Sequence, residues 1–422
     1  IQEMLAELRP GQRVRLQVQL DNTLGSDLGL DSLSRVELFA RIEKNFGVSL
    51  PARTLQEAET PRDLIRALQA ATQTRATWSA DDLLQEDLGT AEALPEQAHT
   101  LLEVLEWHVR QHPERTHIRL YNDEGTGDSL NYRQLYDGAR EVATGLQQSG
   151  VAPGQAVAMM LPTGEAYFYS FFAILMAGAV PVPLYPPARR SQLEDHLIRQ
   201  AGILENCQAV LLITVHEAVM LARLLKQHTA GLREVVTLET LQQRTGDFHA
   251  PKIGTNDIAF LQYTSGSTGD PKGVILSHAN LLANIRADGR AIAASPDDIF
   301  VSWLPLYHDM GLIGAWLGSL YFAVLLVIMS PLDFLTRPER WLWAIHRHRG
   351  TLSAAPNFAY ELCLHRIKDE DIAGLDLSSW RLSFNGAEAV NPQTVSGFCA
   401  RFAPFGFALS LIHISEPTRP KR

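Results

Sequence analysis

The stretch Tyr263-Thr264-Ser265-Gly266-Ser267-Thr268-Gly269-Asp270-Pro271-Lys272-Gly273-Val274 constrains this chain more than any other. Glycines, hydroxyl side chains and a lysine stand between two apolar segments, a composition that reads as a cradle for phosphate. Gly266, Gly269 and Gly273 let the backbone take φ > 0 and approach a ligand, so that consecutive N–H groups point at oxyanions. Thr264, Ser265, Ser267 and Thr268 add hydroxyl donors, and Lys272 brings a compact positive charge suited to a polyphosphate. Position 271, where the G-x-x-x-x-G-K-[ST] pattern places its second glycine, is proline, and the chain has no G-x-G-x-x-G. A P-loop NTPase or a Rossmann dehydrogenase is therefore disfavoured. For any single Gly-Ser cluster, a surface turn of small polar residues is the alternative reading.

With 422 residues, 46% of them hydrophobic, the chain has material for more than one core, and at least two domains are expected. A formal net charge of −10 argues against nucleic acid as the main partner, because phosphate backbones need clustered Lys and Arg. Cys207, Cys363 and Cys399 lie far apart without a C-x-x-C, as expected of small buried residues in a reducing cytoplasm. No signal peptide is visible, and Ile1 to Leu8 reads as a helix already under way, hence as a fragment boundary. Two charge-free runs, Ala166 to Ala188 and Met310 to Leu332, are long enough to raise the question of a membrane. Four prolines break the first and Gly311, Gly314 and Gly318 interrupt the second. Each reads as a buried helix leading into a core strand, so no transmembrane segment is expected.

From Ile1 to about Ala71 the pattern is helical. Leu28-Gly29-Leu30-Asp31-Ser32-Leu33 precedes apolar residues at three-to-four spacing, with Asp31 or Ser32 as the cap. A further helix over Pro61 to Ala70 is announced by Thr60 as cap and Pro61 in the first turn. Residues 72–97 are polar and carry an acidic cluster at Asp81, Asp82, Glu86 and Asp87, which reads as a linker. Beyond it, helices over Leu101 to His112, Gln134 to Ser149 and Arg189 to Asn206 alternate with strands over Ala156 to Leu161, Ala209 to Thr214 and Ile258 to Gln262. That alternation predicts α/β layering around a largely parallel sheet. The phosphate loop is then expected beyond the carboxyl end of a sheet strand. His346 and His348, interleaved with Arg347 and Arg349, read as a solvated helix face. His308 and Asp309 form an ionisable pair in an apolar segment, too few residues for a metal site on their own.

Taken together, the twelve residues of the glycine-rich loop resemble the signature of the adenylate-forming, AMP-binding superfamily. The Leu-Gly-Leu-Asp-Ser-Leu run, with Phe46-Gly47-Val48 and Thr60-Pro61, resembles an acyl carrier protein. That implies a small all-α four-helix bundle over residues 1–71, with Ser32 bearing 4′-phosphopantetheine attached by a phosphopantetheinyl transferase. The phosphate of that arm would sit at a helix amino terminus.

Ala355 to Cys363, Asn385-Gly386-Ala387-Glu388, Leu161 to Gly164 and Pro181 to Pro187 resemble fatty acyl-AMP ligases more than amino-acid adenylation domains. This second resemblance covers residues 98–407. It implies a large α/β amino-terminal catalytic domain in which Thr264 to Gly269 and Lys272 hold the phosphates of Mg·ATP. It also places Asn385, Gly386, Ala387 and Glu388 against the adenine, and His308 beside the acyl carboxylate, with Lys272 and His308 as the catalytic pair. A fatty acid would be activated to its acyl-adenylate and passed to a carrier thiol, on Ser32 or on a downstream acyl-accepting carrier or synthase. Two alternatives stay open: a long-chain acyl-CoA synthetase, and a carrier and acyl-binding module without catalysis.

After Phe407 the Tyr-Gly-x-x-Glu motif, whose acid serves Mg²⁺, and a lysine-bearing domain would follow in that family. Residues 408–422 match neither, so no metal ligand is assigned, and the tail reads as truncated, frame-shifted or vector-derived.

Overall fold

The computed structural model describes residues 58–70, 78–84, 88–91, 93–122, 127–185, 193–264, 272–408 and 412–415, and among the first 57 only 1, 18–24, 27, 28, 30, 38, 39, 41, 42, 45, 46, 48, 50 and 54. In the amino-terminal module, the helix Pro61–Ala70 starts as expected. The Thr60 backbone N–H and hydroxyl both donate to Asp63 Oδ2, at 3.0 and 2.7 Å, and the Asp63 N–H returns to the Thr60 hydroxyl. Leu24, Leu28, Leu30, Leu38, Phe39, Leu50 and Leu64 form a separate small core. The four-helix arrangement and Ser32 lie outside the described residues.

The body is built on two mostly parallel sheets and a hairpin. One sheet runs in the order β13 (Ile412–Ser415), β12 (Leu382–Gly386), β11 (Leu352–Ala355), β9 (Ile299–Ser302), β10 (Leu325–Ile328), β1 (Thr116–Leu120) and β2 (Ser129–Asn131); only β2 is antiparallel to its neighbour. The second is fully parallel in the order β4 (Val180–Pro183), β3 (Ala156–Met160), β5 (Leu211–Thr214) and β6 (Glu234–Val236). Every residue of β3, β4, β5, β9, β10 and β11 is buried. Such uninterrupted burial is what a parallel sheet covered on both faces demands.

Both charge-free runs fold as anticipated. The first becomes the helix Glu165–Met176 followed by β4, and the second a π-helix, Met310–Leu317, a short helix, Gly318–Tyr321, and then β10. Among the described residues no helix is long and apolar enough to cross a membrane. The prolines of β4 also explain why that sheet ends there. The Val180 and Leu184 N–H groups donate towards β3, leaving Pro181 and Pro183 on the outer edge, where neither has a donor to offer another strand.

Four expectations are corrected. First, Ile258 to Gln262 is no member of a parallel sheet: among the described residues β7 (Ile258–Thr264) pairs only with antiparallel β8 (Lys272–Ser277), so the phosphate loop joins two strands of a hairpin that lies against β4. Second, Gly273 is in β8 without a positive φ. It faces Tyr263, and a Cβ there would come within 2.9 Å of the tyrosine ring, so the ring is what excludes a side chain.

Third, part of the polar linker is docked. Trp78 stacks on Trp343 with centroids 5.9 Å apart, and the Arg337 guanidinium lies 4.5 Å over its ring. The Leu84 N–H donates to the Arg347 carbonyl at 2.8 Å, and Arg115 donates to the carbonyls of Leu88 and Gly89. This strap explains the fourth correction. The helix Glu339–Arg347 carries β9 on one side and the strap on another, so His346, Arg347 and His348 are buried rather than solvated.

Candidate functional site

Neighbouring parallel strands end at the same edge of a sheet, and there β9, β11 and β12 deliver the segments singled out above. After β9 the chain runs through Trp303 to Asp309 and enters the π-helix at Met310. Wider turns of this kind recur at functional sites, and nothing in the apolar sequence announces one. His308 Nδ1 lies 2.6 Å from Asp309 Oδ1, and the same oxygen accepts the Met310 N–H at 2.7 Å. The hydrogen bond to Asp309 raises the His308 pKa, and the reciprocal bond lowers that of Asp309. The aspartate therefore both caps the π-helix and favours the imidazolium.

His308 and Asp309 open onto a cavity of about 200 Å³ shared with Tyr185, Arg199, Gln262 and Tyr307. This cavity unites the carboxyl end of β4, the end of β7 and the segment after β9, so elements of all three sheets meet at it. A larger cavity of about 490 Å³ includes Gly154, Gln155 and Cys207, at the amino-terminal edge of the four-stranded sheet. That is the wrong edge for ligands of parallel sheets, so we place the chemistry at the smaller one.

Asn385 occupies the end of β12, fully buried, with its Nδ2 facing Asn357 Oδ1 at 3.4 Å and its own Oδ1 without a partner. Asn357 Oδ1 also accepts the Asn391 N–H at 3.1 Å, so the loop is tied at both ends to the residue that begins the helix Asn357–Arg366. Between these ties Ala387 sits at φ 68°, a left-handed conformation costly for a residue with a Cβ. Glu388 Oε1 accepts the Phe358 N–H at 2.6 Å, and Phe358 packs edge-on to Trp303 at 5.9 Å. Gly386 completes β12. The four residues thus form a segment fixed by the Asn357 and Phe358 contacts, with a buried acceptor, Asn385 Oδ1, left without a partner.

Lys272 is the first residue of β8, directly across from Thr264 and exposed. The backbone of Thr264 closes β7, while its side chain and residues Ser265, Gly266, Ser267, Thr268 and Gly269 lie outside the described residues. Gln262, Arg199 and Asn357 are the site residues that motif reading misses. Nothing local marks Gln262 and Asn357, whose partners are more than 25 positions away, and Arg199 enters through its place against the Tyr185 ring. No group of three or more His, Cys, Asp or Glu suited to a metal occurs among the described residues.

Known proteins resemble this chain in sequence and fold. A family model described as AMP-binding enzyme matches residues 105–410, and one described as phosphopantetheine attachment site matches residues 12–68. A medium-chain-fatty-acid–[acyl-carrier-protein] ligase, JamA, of Moorena producens is 37% identical over 316 residues, 73% of this chain and 52% of that protein. A long-chain-fatty-acid–AMP ligase, FadD26, of Mycobacterium marinum is 36% identical over 302 residues, 69% of this chain and 50% of that protein. A crystal structure of a fatty acyl-adenylate ligase from Legionella pneumophila, in complex with acyl adenylate and pyrophosphate, has a TM-score of 0.69 at 35% identity, covering 76% of this chain and 56% of the other. The chain spans about half the length of the curated relatives it matches.

Proposed function

This chain belongs to the AMP-binding enzymes, and on that premise we propose that its protein activates a fatty acid with ATP and hands the acyl group to a phosphopantetheine carrier. The observation that carries this reading is the cavity where the end of β7, the strand that leads into the phosphate loop, meets the His308–Asp309 pair, with the Asn385 to Glu388 segment at the same end of the parallel sheet as that pair. A carboxylate oxygen of the acid attacks the α-phosphorus in line, the bond to pyrophosphate breaks, and acyl-AMP forms. Thr264 to Gly269 and Lys272 hold the β- and γ-phosphates, the Asn385 to Glu388 segment lies against the adenine, and His308 flanks the acid. A cationic His308, favoured by Asp309, offsets the charge gathered there. We assign no residue of this chain to Mg²⁺, which would enter with the phosphates of the nucleotide.

In the second half-reaction a carrier thiolate attacks the acyl carbon and AMP leaves. We assign the carrier bundle to residues 1–71 and the catalytic body to 98–407, with Ser32 as the attachment point of 4′-phosphopantetheine. The Ser32 assignment rests on its sequence motif and on the phosphopantetheine-site match. A phosphopantetheinyl transferase and an acyl-accepting carrier or synthase are then the partners, and the cytoplasm the compartment. The test offers the full-length protein a fatty acid and ATP with equal supplies of CoA and holo carrier. Acyl-carrier as the main product supports the proposal, whereas acyl-CoA as the main product identifies a CoA synthetase. Intact mass after transferase and CoA treatment checks Ser32: one arm is added, and none to Ser32→Ala.

A further inference from the structure

Gln262 is 7% exposed and stands two residues before Thr264, where β7 feeds the phosphate loop. Its Nε2 donates to the Tyr307 carbonyl at 2.8 Å. A carbonyl oxygen only accepts, so this contact fixes which end of the amide is the NH₂ group. Oε1 consequently faces the other way, buried and without a hydrogen-bond partner. Native interiors rarely leave such an acceptor unpaired. Arg199 lines the same cavity, with its guanidinium 5.9 Å from the Tyr185 ring and its Nε also buried and unpartnered.

We propose that Gln262 is a positioning residue, fastening the peptide that carries His308 to the strand that enters the phosphate loop. The inference rests on the adenylation reading above and deepens it. The Tyr307 carbonyl belongs to the residue just before His308, so releasing it frees the imidazole to turn away from the acid. The phosphate-holding residues are left in place. The chemical step therefore suffers and nucleotide affinity does not.

The test compares the full-length protein with Gln262→Glu, which sets a carboxylate oxygen against the Tyr307 carbonyl, and with Gln262→Met, which keeps the length and removes both polar ends. Two readouts are used, fatty-acid-dependent ATP–pyrophosphate exchange and the NMR signals of the His308 ring in the ligand-free protein, with thermal midpoints to confirm folding. We expect kcat to fall by about ten- to thirtyfold in both variants, KM for ATP to stay within about twofold, and the His308 signals to move. Unmoved His308 signals in folded Gln262→Met overturn the inference, whatever the activity. An unchanged kcat in an otherwise active enzyme overturns it as well. No exchange in the unaltered protein counts against adenylation, and the NMR readout still decides the role of Gln262.

Discussion

Lys272 is exposed at the start of β8, across from Thr264, so its charge is open to a phosphate. Replacing it with alanine removes a charge-assisted contact of about 1.5–3 kcal/mol, roughly ten- to a hundredfold in ATP-dependent turnover, with little change in thermal midpoint. A variant with unaltered turnover would show that the charge is not engaged.

The His308–Asp309 pair carries a pH signature. The raised His308 pKa means its favourable contribution is complete below the ordinary imidazole value and is lost as pH rises through the folded value. The lowered Asp309 pKa gives a contribution present above the ordinary carboxylate value and lost as pH falls through the folded one. The pair is thus at full strength between roughly pH 4 and 6.5. Both side chains are more than half exposed, so the effect belongs to the charge on His308 more than to stability. Asp309→Asn should lower the His308 pKa in a ring-NMR titration, and an unchanged titration would sever the pair from the chemistry.

At the scale of elements, the docked linker residues 78–84, 88 and 89 make the sharpest demand. Losing the Trp78 ring removes its stacking on Trp343 and its contact with Arg337, together about 1–3 kcal/mol. Hydrogen exchange at Leu84 should accelerate in Trp78→Ala because its N–H loses the registry that holds it to the Arg347 carbonyl. Free-chain exchange rates in the unaltered protein would mean that the strap is not docked. The same element marks where sequence reading stops. Apolar runs such as those forming β3 and β10 declare their own burial, and Thr60-Pro61 declares its own helix start. His346 and Arg347 look solvated because their cover comes from a segment more than 250 positions earlier. The hairpin is equally hidden, since β7 has the apolar composition of a parallel strand and only the partner it pairs with decides otherwise. The glycine, hydroxyl and lysine composition of the phosphate loop can be read locally, whereas Asn385 to Glu388 stand out only through the family resemblance. Gln262 is legible in neither way, because its role lies in one amide contact to Tyr307.

Across the whole molecule, acid should act through buried histidines. His117 Nε2 accepts from the Trp316 indole at 3.2 Å and His278 Nδ1 accepts from the Leu101 N–H at 3.2 Å, so both must be neutral there. Burial pushes their pKa values down to about 3 and about 4. Stability is therefore complete above pH 6.5 and falls as protons bind the unfolded chain, by roughly 1.4 kcal/mol per pH unit for each histidine until its folded value is reached. Urea midpoints should drop from pH 7.5 to pH 5, and pH-independent midpoints would contradict the neutral assignment.

The claim that unites these scales is that the cavity where the hairpin meets the carboxyl ends of the parallel strands serves adenylation. Its most direct measurement is ATP–pyrophosphate exchange by the full-length protein, with and without a fatty acid and with no CoA present. The account predicts exchange that appears only with the acid and is strongly reduced in Lys272→Ala. Exchange that ignores the acid, or an absence of exchange alongside intact ATP binding, would contradict it.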